Sequence, residues 1–272
     1  MQVLTHSFAD GLRWLALSGR FYAARPMPLI GLGIGFLLLQ LLALLLGVLF
    51  FVPLSSALSL SSDVLAGLPR ALLLPFLCFA LLCLCRDMDL QRTSEPARLL
   101  SELPARWPMA VAGLMFFVLS ELIALLILAP HREEWAAVMS AVSAGKPVPM
   151  DAFEPVAGAL ALSTALDLPV AVLFAGLPPL IGWLRLNVGK ALFFVLVAAW
   201  RNWRAIAALV LTLLALAVCS ALVCVLVLGA LGLPPALLAL LLVFGVFLPM
   251  QIAAYYIAVR EIFPLPHVDV RR

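Results

Sequence analysis

Six apolar runs govern what this chain can fold into. They lie at residues 28–52, 64–85, 109–129, 156–183, 205–229 and 236–259 of 272. Each meets the ~20 residues that a helix needs to cross the ~30 Å hydrocarbon layer of a bilayer. Leu, Ala and Val fill the runs without the two-residue alternation of a barrel strand, so they read as helices. Only 11% of the residues are charged and 65% are hydrophobic. A soluble domain carries roughly a quarter charged residues, so a soluble fold does not fit.

Charge gives the spans a direction. Six crossings return both termini to one side, and the basic residues sort by side. Of 17 Lys and Arg, all but Arg70, Arg132 and Lys146 fall on the side of the termini. Short cytoplasmic loops collect Lys and Arg, which predicts both termini inside. A net charge of +3 is too small to argue for nucleic acid. About 25 residues with Arg13, Arg20 and Arg25 precede the first run, which is itself too long for a signal-peptide core. It is expected to be an uncleaved first span in the inner (cytoplasmic) membrane.

Three short elbows lead into spans on the terminal side. The first, within residues 1–25, places Leu12, Leu15, Ala16, Gly19, Tyr22 and Ala23 on one helical face and Asp10, Arg13 and Arg20 on another. That pattern suits a helix lying in the headgroup layer. The second, residues 86–108, offers Ser94-Glu95-Pro96 as a helix start. The third, residues 184–204, contains KALFFVLVAAWRNWR, which is short for a span and greasy for a soluble helix. Pro75 is followed by Arg86-Asp87 and Pro249 by Arg260-Glu261, at the same spacing. The expected fold is therefore all-α and integral to the membrane. Six transmembrane helices would form three repeats of cytoplasmic interfacial helix plus transmembrane hairpin, in units of about 1–85, 86–183 and 184–272 of one polytopic domain.

The AWRNWR motif before the fifth span and the YYIAVREIF ending resemble a group of uncharacterised proteobacterial six-span inner-membrane proteins of the YciC type. They are more distantly similar to the membrane domain attached to some glycerophosphodiester phosphodiesterases. The resemblance implies an inner-membrane location. It brings no activity with it, because the soluble phosphodiesterase domain is not in this sequence.

Charge inside hydrocarbon is costly, so Arg70, Glu121 and Asp167 are candidates for an intramembrane polar site. One reading is a proton or cation site with two titratable carboxylates. The other is structural: an Arg70–Glu121 bridge at comparable depth, with Asp167 bonded to Ser163 or Thr164. Gln40 and Gln251 read as helix–helix glue. Trp200, Arg201, Trp203 and Arg204 are candidates for contact with lipid or a partner protein, against a simpler role as topology anchors. The cysteines lie in apolar runs without the polar support that metal ligation needs. His131, Glu133 and Glu134 lack zinc-site spacing. No cofactor, metal or catalytic set is expected. The leading functional expectation is a non-enzymatic membrane-organising or accessory protein that touches membrane lipid or another membrane protein. A small ion- or proton-coupled transporter is the alternative.

Overall fold

The computed structural model describes residues 3–51, 62–92, 106–144, 150–231 and 246–263. Among these residues every regular element is helical. Helix α1, Phe8–Ala24, starts where Asp10 reaches back to Ser7, whose backbone N–H and hydroxyl both donate to Asp10 Oδ2 at 2.8 and 2.9 Å. That is the reciprocal half of a capping box. It stops at Arg25, whose φ of −147° and ψ of 61° leave the helix because the next residue is proline. Pro26 then opens α2, Pro26–Leu46, at the first-turn position that tolerates it. A wider π turn, Gly47–Phe51, follows.

The remaining helices are α3, Ser62–Asp89; α4, Arg106–Leu128; α5, Arg132–Ser143; α6, Met150–Ala175; α7, Leu177–Leu184; α8, Val188–Leu231; and α9, Leu248–Ile262. Prolines 69, 75, 155 and 169 sit inside α3 and α6, as membrane helices allow when neighbours satisfy the freed backbone. The expected fourth span is present with a one-residue interruption at Gly176, before Pro178-Pro179, and α7 ends at Arg185 in a left-handed conformation with φ 54°.

Five segments are long and apolar enough to cross a bilayer: Pro26–Phe50, Gly67–Asp89, Trp107–Ala141, Phe153–Leu184 and Val188–Ser220. The sixth expected span begins in residues 236–245, which lie outside the described residues; its end coincides with α9. The helix expected in the second elbow, at 94–103, also falls outside them.

The third elbow is helical, as expected, and a kink separates it from the helix that follows. α8 consists of two helices that meet at one non-helical residue, Asn202 (φ −114°, ψ 17°), so most of KALFFVLVAAWRNWR precedes the kink and the expected fifth span follows it. No proline or glycine occurs within residues 190–228, so the kink does not come from a helix-breaking residue. One buried stripe runs across the break: Ala191, Val195, Ala198, Asn202, Ala205 and Leu209. Their spacing of four and three keeps one face against the protein.

Helix α1 is rotated from the expected face by about one residue, ~100°. Gly11, Trp14 and Ser18 form the buried stripe, whereas Leu12, Ala16 and Ala23 are exposed. Packing decides this. Gly11 lies so close to α8 that a Cβ there would collide with the Ala205 carbonyl oxygen.

The core is concentrated at the elbow end. Trp14, Leu29, Phe79, Leu82, Leu177, Leu180, Ile181, Tyr256 and Ile257 belong to one buried cluster, drawn from α1, α2, α3, α7 and α9. Gly182 admits the Phe79 ring where any Cβ would overlap it. Further along, Leu125 and Leu126 of α4 and Leu211, Leu214, Leu222 and Leu226 of α8 are exposed, a surface that suits lipid rather than water.

Candidate site at the elbow end

The polar residues of the elbow end form a connected set. The N-terminal segment runs extended beside the end of α9, where the Leu4 N–H donates to the Ile262 carbonyl at 3.1 Å. It then meets the break in α8. The His6 N–H donates to Asn202 Oδ1 at 2.7 Å. Asn202 Nδ2 donates to the Leu4 carbonyl and to the Ala198 carbonyl, both at 2.9 Å. Asn202 is fully buried. A buried amide left unpaired would cost 1–3 kcal/mol, about what such groups cost in general. Here its side chain bonds the Ala198 carbonyl one turn back and also holds the N-terminal segment.

The end of α9 carries the charges. Glu261 Oε2 accepts from Arg13 at 2.5 Å and from Trp14 Nε1 at 2.8 Å. Asp89 Oδ2, at the end of α3, accepts from Arg260 at 2.6 Å and from the Tyr256 hydroxyl at 2.9 Å. The Arg86 guanidinium lies 5.3 Å from the centre of the Trp183 ring. Each of these three arginines is therefore committed to a partner.

Arg201 and Arg204 have no carboxylate partner among the described residues; Arg204 stacks only on Trp203, at 5.4 Å. Trp200 is 83% exposed and Trp203 60%. These four side chains form one wall of an open cleft of about 510 Å³, and residues 6–9 form the other. Asn202 belongs to the segment of the first wall and bonds across to the N-terminal segment at His6 and Leu4. The sequence singled out the four residues of the first wall. It missed Asn202, the N-terminal wall, and the pairing of Glu261 and Asp89. The signal for Asn202 was present: a lone amide at a stripe position otherwise held by Ala and Val.

The intramembrane candidates sit elsewhere. Helices α3 and α4 run antiparallel: a Cβ at Gly113 would stand 2.5 Å from the Ala71 carbonyl oxygen, and one at Gly67 would stand 3.5 Å from Phe117. That register sets Glu121 level with residue 63. Arg70, which is exposed, is about seven residues or ~10 Å away along the axis. The two are thus offset by about two turns rather than at the same depth. Helix α6 returns beside α4 with Phe116 and Phe174 rings 5.7 Å apart, which brings Asp167 within about two residues, ~3 Å, of the Glu121 level. The Thr164 hydroxyl does not serve Asp167; it donates to Leu160 of its own helix at 2.8 Å. Asp167 Oδ1 has no partner among the described residues. The same holds for both amide atoms of Gln40.

The chain matches no family model, no curated protein and no solved structure. Two motifs stood out in the sequence, AWRNWR and YYIAVREIF. The structure places Asn202 of the first and Tyr256, Arg260 and Glu261 of the second in the elbow-end network.

Proposed function

We propose that this chain is a non-enzymatic accessory or organising protein of the bacterial inner membrane, acting through its elbow end on membrane lipid or on a partner membrane protein. In this reading six spans, in three elbow-plus-hairpin units, put both termini and the elbow end on the cytoplasmic side. The bias of basic residues supports that orientation. The observation that carries the functional reading is the contrast among arginines. Arg13 and Arg260 are paired with carboxylates and Arg86 lies over the half-buried Trp183 ring, whereas Arg201 and Arg204 stand beside two exposed tryptophans with no carboxylate partner among the described residues. Such residues are suited to the interface between membrane and water. The test is a Trp200/Arg201/Trp203/Arg204 quadruple alanine variant, cross-linked and pulled down in mild detergent from its own membrane. Loss of co-purified lipid or protein partner supports the reading; an unchanged set sinks it.

A second reading is a small ion- or proton-coupled transporter. It is favoured by the shared depth of Glu121 and Asp167 on adjacent helices. It requires that Asp167→Asn abolish a coupled flux in proteoliposomes while insertion stays normal. Wild-type flux in that variant removes it.

A further inference from the structure

We infer that the cleft between residues 6–9 and the Trp200–Arg204 wall binds the phosphodiester headgroup of an anionic glycerophospholipid, and that Asn202 sets the spacing of its two walls. The inference deepens the accessory-protein reading and rests on it. Four observations converge on the cleft. Its volume, about 510 Å³, is large enough for a headgroup. Its two arginines have no carboxylate partner among the described residues, and a guanidinium pair suits phosphate oxygens through charge-assisted hydrogen bonds. Asp10, next in sequence to the N-terminal wall, is turned to the Ser7 N–H and hydroxyl, and its remaining approaches, to His6 and Arg13, are long at 3.8 and 3.9 Å. The indoles of Trp200 and Trp203 are exposed, and indoles settle at the headgroup level of a bilayer. That last feature favours a membrane lipid over a soluble phosphate.

Asn202 makes the cleft a defined shape rather than a patch. Its amide bonds the His6 N–H and the Leu4 carbonyl on one side and the Ala198 carbonyl on the other. The N-terminal wall therefore cannot move away from the arginine wall without breaking two part-buried hydrogen bonds. Asn202 is a positioning residue and need not touch the lipid.

The experiment is native mass spectrometry of the full-length protein in detergent, titrated in parallel with phosphatidylglycerol and phosphatidylcholine. The wild type is expected to retain the anionic lipid preferentially. Arg201→Gln with Arg204→Gln should reduce that preference on the order of 30-fold, from ~1 kcal/mol for each basic residue near an anionic lipid surface. Both arginines are exposed, so this variant is expected to fold. Asn202→Ala should lower the preference while both arginines remain, and a thermal melt run beside it identifies unfolding. If it unfolds, Phe8→Trp, which crowds the N-terminal wall from an exposed position, replaces it and should also lower the preference. Equal retention of the two lipids by the wild type overturns the inference, as does an unchanged preference in the arginine variant. Displacement of the lipid by inorganic phosphate alone assigns the cleft to a soluble phosphate and overturns the lipid. An acidic protein in the cleft is the remaining overturning outcome, read as loss of a protein from the pull-down with lipid preference intact. The accessory-protein reading fails separately, only if the quadruple alanine variant keeps its full set of partners.

Discussion

The backbone N–H of His6 donates to the side-chain oxygen of Asn202 at 2.7 Å, joining residues 196 positions apart. With the bond from the Asn202 amide nitrogen to the Leu4 carbonyl, it fixes the N-terminal segment to the kink at which the two helices of α8 meet.

Asn202→Leu removes these bonds and leaves the His6 N–H without its acceptor. The variant should lose about 2–4 kcal/mol, since unsatisfied buried polar groups cost ~1–3 kcal/mol each. It should also loosen residues 3–7. Thermal melting in detergent and limited proteolysis at the N-terminus measure the two effects. A melting point within a degree or so of wild type would show that the clamp is not structural.

Gly11→Ala places a methyl group into the Ala205 carbonyl. Backbone blocks it on the far side, so α1 must move outward. Overpacking of this kind costs ~1–3 kcal/mol. Gly19→Ala, where no neighbour lies within 4 Å, is the control and should be neutral or slightly stabilising through helix propensity. Comparison of the two melting points checks the claim.

Trp14 and Glu261 should be energetically coupled. Trp14→Phe keeps most of the buried ring and loses only the Nε1–H donor to the carboxylate. A double-mutant cycle with Glu261→Gln is expected to give a coupling of ~1 kcal/mol, in the range for a hydrogen bond to a charged acceptor after allowing for partial solvent screening. Additive effects would contradict the geometry.

Asp10 should make the start of α1 sensitive to acid. The Ser7 N–H first, and then the Ser7 hydroxyl, favour its charged form and hold its carboxyl below the usual carboxylate range. A value lowered on folding contributes stability that is complete above the unfolded pKa of ~4. That stability disappears as pH falls through the lower folded value. Asp10→Asn should therefore melt below wild type at about pH 6, and the gap should close at about pH 3, below the unfolded carboxylate pKa. A gap independent of pH would exclude this role.

Much of the fold was legible because hydrophobicity and proline act locally. Runs of Leu and Ala announced the spans, and Pro26 fixed the α1–α2 break from the residues beside it. The boundary after the third elbow was legible from its aromatic and basic residues, and the kink at Asn202 falls two residues from the expected end at Arg204. The contact of Asn202 with Leu4 and His6 at that kink was not legible, because sequence proximity does not reveal it. The phase of α1 failed for a related reason: Leu12 and Ala16 looked like the inward face, but Gly11 allows a closer approach to α8 than they do. At the candidate site the four residues of AWRNWR that face outward could be read from their type. The opposite wall and the committed state of Arg13, Arg86 and Arg260 could not, because each depends on an element remote in the chain.

The pairing of residues 4–14 with 202–262 also has a consequence for biosynthesis. The ribosome releases α1 long before Ala205, Asn202 and Glu261 exist, so the first helix must wait at the membrane with Trp14 and the Gly11 groove uncovered. Closure of the elbow end is therefore late, as expected for contacts of such large sequence separation: α8 first supplies Asn202 and Ala205, and α9 then adds Glu261. A pause in translation between α8 and α9 would leave α1 docked on α8 with Trp14 and Arg13 still lacking their carboxylate.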